Sequence, residues 1–181
     1  MKEILLSSEA FVKSVSSISD NTSGKYILPS LLEAQEIDLK GIIGPALLTK
    51  LKELKAAGTL ASYAGGVYKT LVDECQYFLA YSAIINVTNR VSYKVGNFGV
   101  AKSNDENLQV ASWDEIIKQQ SFYQAKADSC CLALQTFLLE HRSDYPELTE
   151  CACQRIHANL MSAATCGIFL GGTRNRRRFP K

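Results

Sequence analysis

The sequence predicts a mainly α-helical fold: a helical bundle with two long helices, a short β or extended arm between them, and an extended basic C-terminal tail. Apolar residues recur at helical spacing over about residues 67–90 and again over about residues 112–141. The segment between them alternates apolar and other residues, as a strand does. We therefore divide the chain into a helical domain, residues 1–164, with an arm at about residues 92–111, and a C-terminal extension, residues 165–181.

Length and composition favour one compact domain with its own core. The chain has 181 residues, of which 46% are hydrophobic and 21% charged, so it needs no disulfide, metal or other cofactor to fold. Its N-terminus does not have the pattern of a secretory signal, and its most apolar run, residues 78–87, is far shorter than the roughly 20 residues of a membrane span. We expect a soluble intracellular protein whose six cysteines remain thiols.

Three short helices are expected before the first long one. The first covers residues 9–18, with Ser7 or Ser8 as its N-cap. The second begins at Pro29, since proline is tolerated at the first helical position, and runs to about residue 37. The third follows the Gly44-Pro45 break and covers residues 45–57.

The two long helices carry the predicted core. The second begins at Ser112, where Ser112 and Glu115 have the spacing of a capping box. The side chains expected to pack together between the two helices are Leu71, Phe78, Ile85, Leu134 and Leu138.

The arm and the tail hold the candidate partner-binding residues. A twenty-residue insertion between helices is often functional, although a mobile surface loop is the alternative. The candidates in the arm are Tyr93, Val95, Phe98 and Val100. Those in the C-terminal extension are the apolar Ile168, Phe169 and Leu170 and the basic Arg174, Arg176, Arg177 and Arg178.

The charge of the chain is concentrated in this tail. The net charge is +2, but the last nine residues carry five basic side chains and no acid. Without those five, 15 basic residues stand against 18 acidic ones. Arginines in such a tail neutralise phosphates of nucleic acid or bind carboxylates of an acidic partner protein, and a merely solvated tail is the alternative.

The sequence predicts no catalytic centre. The chain has two histidines, and His141 lies where a helix C-terminus is expected, a position that favours a histidine electrostatically. No phosphate-binding glycine motif is present. A zinc site formed by Cys151, Cys153, His157 and Cys166 is a minor alternative, since Cys-x-Cys is not the usual zinc spacing; buried cysteines and a surface histidine are favoured.

The order of these features resembles head-tail connector proteins of tailed bacteriophages, nearest to those of phages of Bacteroides-type bacteria, including the crAss-like group. The resemblance rests on the string Asp38-Leu-Lys-Gly-Ile-Ile-Gly-Pro-Ala-Leu-Leu, two long helices around an arm, the Tyr145-Pro-Glu corner and the Gly-Gly-Thr-Arg tail.

The resemblance implies a non-enzymatic adaptor of the virion neck, made in the host cytoplasm. Its copies would form a ring, normally twelve-fold, below the portal protein and receive the next neck or tail protein, with non-specific contact to packaged DNA and none to membrane. The arm and tail would then lie across neighbouring subunits. The leading alternative is a nucleic-acid-binding accessory protein that uses the arginine-rich tail.

Overall fold

A computed structural model of the protein describes residues 3–96, 99–102, 112–148 and 156, and it confirms the mainly helical class. The described helices are α1 Glu9–Val15, α2 Gly24–Glu33, α3 Lys40–Ile43, α4 Pro45–Ala56, α5 Val67–Ser92 and α6 Trp113–Glu140. A π-helical turn, Ala34–Leu39, joins α2 to α3, and short 3-10 turns occupy Tyr63–Gly66 and Arg142–Asp144. Two strands, β1 Tyr93–Gly96 and β2 Gly99–Lys102, lie between the long helices.

The two long helices α5 and α6 pack side by side in opposite directions. At the end near the strands, the Gln120 side chain donates to Asn89 Oδ1 at 2.7 Å. At the other end, the rings of Tyr68 and Tyr145 meet edge to face at 5.6 Å, and the Tyr145 hydroxyl donates to the carbonyl oxygen of Val67. Tyr145 therefore fastens the chain after α6 to the start of α5.

The core between these helices follows the sequence prediction except at one position. Leu71, Phe78, Leu134 and Leu138 are buried as expected. Ile85 is only half-buried and lines a shallow surface groove with Gln120 and Gln124, near the opposite end of α6 from Leu134. The prediction that Ile85 packs against Leu134 is wrong. Because α5 and α6 run in opposite directions, the C-terminal half of α5 lies against the N-terminal half of α6.

Local sequence signals set most helix boundaries. In the predicted capping box, Ser112 N–H donates to Glu115 Oε2 at 2.7 Å and Ser112 Oγ accepts from Glu115 N–H. The bonds that the Glu115 carboxylate accepts from the Ser112 N–H and hydroxyl lower the pKa of that carboxyl. Ser8 caps α1, which ends at Val15 rather than residue 18, since the N–H of Ser17 instead donates to the hydroxyl of Tyr123.

The prediction that Pro29 begins the second helix is wrong. Ser23 caps this helix, and Pro29 lies inside α2. A proline in a helix removes one backbone donor. Burial of Ile27 and Leu31 on either side of it keeps the helix continuous, because each contributes roughly 1.5–3 kcal/mol when it leaves water.

The π-helical turn keeps one side of the α2–α3 helix in the core from Ile27 to Ile43, over more than four turns. Buried side chains are spaced four apart along it: Ile27, Leu31, Gln35, Leu39 and Ile43. In a regular α-helix each step of four residues drifts by about 40°, so this series would wind out of the core. In the wider turn the N–H of Lys40 donates to the carbonyl of Gln35, five residues earlier, and the extra residue corrects the drift. The helix ends at Gly44, whose φ of 84° suits glycine.

Gln35 clamps the N-terminal segment to this helix. Its side-chain Oε1 accepts from Leu6 N–H at 2.7 Å, and its Nε2 donates to the Ile4 carbonyl at 2.9 Å. The amide thus pairs with the backbone as a neighbouring strand would. Lys55 on α4 donates to the Leu6 carbonyl at 2.8 Å. These bonds fix the segment that leads into α1.

We predict that Phe78→Ala lowers the free energy of unfolding by about 3–5 kcal/mol, since the ring fills the interface of α5 with its neighbours. Phe78 is 6% exposed, whereas Phe122 on α6 is 55% exposed. The same substitution at Phe122 is the matched control and should cost less than about 1 kcal/mol. Urea unfolding of both variants measures the difference, and equal losses would contradict the assigned core.

We also predict that Gln35→Ala costs about 1–3 kcal/mol, because it leaves the Leu6 N–H and the Ile4 carbonyl without their partner. Gln119→Ala is the control, since Gln119 is exposed and makes only a long contact to Ser17 Oγ. Amide hydrogen exchange should show faster exchange at Leu6 in Gln35→Ala alone. Unchanged protection of that amide would rule out the clamp.

Candidate partner-binding surface

The predicted arm contains an antiparallel β-hairpin. β1 begins at Tyr93, directly after the last residue of α5, and pairs with β2. In the described part of the chain the two strands pair only with each other. A two-stranded hairpin alone is at best marginally stable in water, and its outer edges offer unpaired backbone groups. The hairpin is therefore suited to contact a further surface.

The strand register brings together three of the predicted arm residues. Val95 pairs with Val100, and Tyr93 pairs with Lys102. Because positions alternate between the two faces of a strand, these four positions share one face of the hairpin. Phe98 lies outside the described residues.

All of the predicted C-terminal residues likewise lie outside the described part of the chain. The candidate binding residues are Ile168, Phe169, Leu170, Arg174, Arg176, Arg177 and Arg178, and the candidate zinc ligands are Cys151, Cys153, His157 and Cys166. The binding residues stay a prediction, and the zinc site stays the minor alternative to it.

A second surface, which the sequence did not predict, is formed by aromatic rings from three helices. We name it the aromatic face and define it by Phe11, Tyr77, Tyr81, Phe122, Tyr123 and Lys126. The ring of Phe11 on α1 meets Tyr77 on α5 at 5.3 Å between centroids. Tyr77 is 6.4 Å from Tyr81, which stacks on Tyr123 of α6 at 6.2 Å. Phe122 meets Tyr123 edge to face at 5.4 Å.

Lys126 lies at the centre of the α6 part of this face. Its Nζ is 4.4 Å from the ring centroid of Phe122, 5.2 Å from that of Tyr81 and 6.0 Å from that of Tyr123. The negative faces of the rings attract the ammonium group. The aromatic face therefore combines exposed apolar area with one positive charge.

The face is partly open to solvent. Tyr77 and Phe122 are 50% and 55% exposed, while Tyr81 is half-buried and Tyr123 is buried. Burial raises the pKa of the Tyr81 hydroxyl above its usual value. Large aromatic side chains with a polar end, together with a neighbouring cation, are typical of protein interfaces.

Helix packing positions each part of the face. The Tyr123 hydroxyl accepts from Ser17 N–H at 3.1 Å and lies 2.9 Å from Ser17 Oγ, which holds the end of α1 against α6. Tyr77 and Tyr81 are four residues apart on α5, as are Phe122 and Lys126 on α6, so each pair lies on one side of its helix. That spacing was visible in the sequence, but contact between rings on different helices was not.

The described cysteines are shielded by burial, and the described histidine lies at a helix end. Cys75 is fully buried, and burial raises the pKa of its thiol, as it does for Cys130 and Cys131, which makes thiolates scarce. His141 stacks on Phe137 at 4.4 Å, at the C-terminal end of α6. Among the described residues, no three His, Cys, Asp or Glu side chains are grouped so that they could hold a metal ion. Nor does the same part of the chain contain a helix long and apolar enough to cross a membrane.

The comparisons with known proteins give one match. A family described as a family of unknown function, DUF6712, matches residues 39–158, which include α4, α5, the hairpin and α6. No curated protein and no solved structure matches the chain.

Proposed function

We propose that this chain, which belongs to the DUF6712 family, is a structural component of a tailed-phage virion, a head-tail connector without catalytic activity. Its copies form a closed ring, twelve-fold in the type that it resembles, below the portal protein. The ring extends the DNA channel and receives the next neck or tail protein.

The observation that carries this proposal is the hairpin between the two long helices. It follows α5 without a linker, and within the described residues its strands pair only with each other. Rings are built from heterologous contacts, in which one surface of a subunit meets a different surface of its neighbour. A hairpin joined directly to a long helix supplies one of these two surfaces.

The family match covers the long helices and the arm. It begins at residue 39 and includes both long helices and the hairpin, while α1 and the basic tail lie outside it. The part of the chain typical of the family is thus mainly the pair of helices that bears the arm. The tail adds a second contact, with Ile168 to Leu170 on a neighbouring protein and the arginines on its acidic groups.

We predict that replacing residues 93–111 with a four-residue Gly-Ser linker abolishes ring formation and leaves the helical body folded. Packed helices lie about 8–10 Å apart, so this linker joins α5 to α6 without strain. Native mass spectrometry and electron microscopy of the protein, alone and with the portal protein of its phage, measure assembly. Circular dichroism and the melting temperature report the fold.

The control for this experiment is Ile37→Ala, which removes a side chain that is 63% exposed and belongs to the π-helical turn rather than to the arm. It should assemble as the wild type does. Rings formed by the linker variant, or a wild-type protein that stays monomeric with and without the portal, would contradict the proposed function.

The tail distinguishes the connector from the nucleic-acid-binding alternative. We predict that deletion of residues 167–181, and Arg→Lys replacement at 174 and 176–178, both reduce incorporation into portal complexes with little change in melting temperature. Lysine keeps the charge but loses the bidentate geometry by which arginine binds a carboxylate.

Incorporation of each tail variant into purified portal complexes is the measurement. A nucleic-acid contact depends mainly on charge, so retention of function by the lysine variant, together with salt-sensitive duplex binding, would favour the alternative. Normal incorporation of the deletion variant would show that the tail has no part in assembly.

A further inference from the structure

We propose that the aromatic face is the surface on which the hairpin arm of a second copy of this chain docks. This inference rests on the proposed ring and names the second of its two surfaces. The occupant is the arm of the neighbouring subunit, and the contact is apolar with one ion pair.

Shape and composition support this pairing. The face presents exposed rings of Tyr77 and Phe122, joined through Tyr81 and Tyr123. On the arm, the register places the positions of Tyr93, Val95 and Val100, together with that of Lys102, on one face of a hairpin that pairs with no other described strand. The three apolar or aromatic positions gain stability by packing on a second apolar surface, which the aromatic face provides.

The connection between α5 and β1 keeps the two paired strands of the arm from reaching Tyr81 of their own copy. β1 starts at the residue that follows Ser92, so no linker is present that could reverse the chain. Tyr81 lies eleven residues before Ser92, which is about 16 Å along the helix. Each strand has four residues and extends only about 13 Å. The arm of another copy has no such restriction.

Charge complements the apolar contact. Lys126 lies among the rings of Phe122, Tyr81 and Tyr123, and these described contacts are ring faces, which attract the cation without neutralising it. The strands of the arm carry Lys94 and Lys102, whereas residues 103–112, between β2 and α6, carry two charged side chains, Asp105 and Glu106, and both are acidic. When the arm lies on the face, these carboxylates provide a partner for the ammonium group.

Charge reversal and rescue test the ion pair. Lys126→Glu should weaken self-association at least about tenfold, and so should Asp105→Lys combined with Glu106→Lys. A chain with all three changes should recover most of the wild-type affinity, because attraction is restored with opposite signs. Sedimentation velocity over a concentration series measures the dissociation constants. Absence of any rescue would overturn the proposed charge pairing.

Truncation tests the apolar contact. Phe122→Ala removes a ring that is 55% exposed, so the variant should fold normally and yet associate at least about tenfold more weakly. Ile37→Ala removes an apolar side chain outside the face that is 63% exposed, and this variant should associate as the wild type does. Equal association of both variants with the wild type would overturn the proposal.

A photo-crosslink identifies the occupant directly. Benzoylphenylalanine in place of Phe122, in a mixture of isotopically labelled and unlabelled chains, should form crosslinks between copies that map to residues 93–111. Crosslinks to residues 165–181 would identify the tail as the occupant, and crosslinks within one copy only would identify a contact inside the subunit. Either result overturns the inference.

The same samples separate this inference from the proposed function. The connector proposal stands and the docking site is wrong if rings form, Phe122→Ala associates as the wild type does, and no crosslink from position 122 maps to the arm of another copy. If the wild-type chain stays monomeric at every concentration and with the portal protein, no contact between copies exists, and both proposals fail.

Discussion

The side-chain amide of Gln35 holds the N-terminal segment against the helical body, and the position of α1 depends on it. The amide bonds to the backbone of Ile4 and Leu6, and α1 begins three residues after Leu6. α1 supplies Phe11 to the aromatic face and ends at the Ser17 contact with Tyr123. A buried amide with two backbone partners is strongly oriented, because leaving either partner unsatisfied would cost free energy. Gln35 therefore contributes to the position of Phe11 in the aromatic face.

The π-helical turn makes this clamp possible by directing neighbouring side chains to different elements. Gln35 bonds to the N-terminal segment, Glu36 pairs with Lys52 on α4, and Asp38 accepts from Ser82 on α5. Burial alone would raise the pKa of the Glu36 carboxyl, but the hydrogen bond and positive charge of Lys52 lower it. Turns of this kind are rare and frequently lie at functional sites. Here the turn joins three parts of the body in six residues.

Helical periodicity and caps predicted the parts of the fold in which local and tertiary preferences agree. The capping box fixed the start of α6, and the apolar stripe of α5 predicted its burial. The helix start at Pro29 was misplaced because burial on both sides outweighed the local preference of proline. In the sequence, the π-helical turn leaves only one sign, a series of core positions four residues apart.

The candidate site was predictable only in part, for a physical reason. A hairpin between Tyr93 and Val100 could be predicted, since strand alternation is a local pattern. The aromatic face could not, because its rings come from α1, α5 and α6, and only the packing angles of those helices bring Phe11, Tyr81 and Phe122 into one patch. Local patterns carry no information about such contacts.

The rigidity of α5 links the arm to the aromatic face. The helix carries Tyr77 and Tyr81 in its middle and continues directly into β1. Its arm-proximal half is held by α2 through the Glu33–Arg90 ion pair and by α6 through Asn89 and Gln120. These exposed contacts contribute little individually, so the buried packing of α5 sets its position. In a ring in which the arm of one subunit docks on the aromatic face of the next, the angle between arm and aromatic face within each subunit determines the rotation from one subunit to the next. Core packing around a single helix would then determine whether the ring closes.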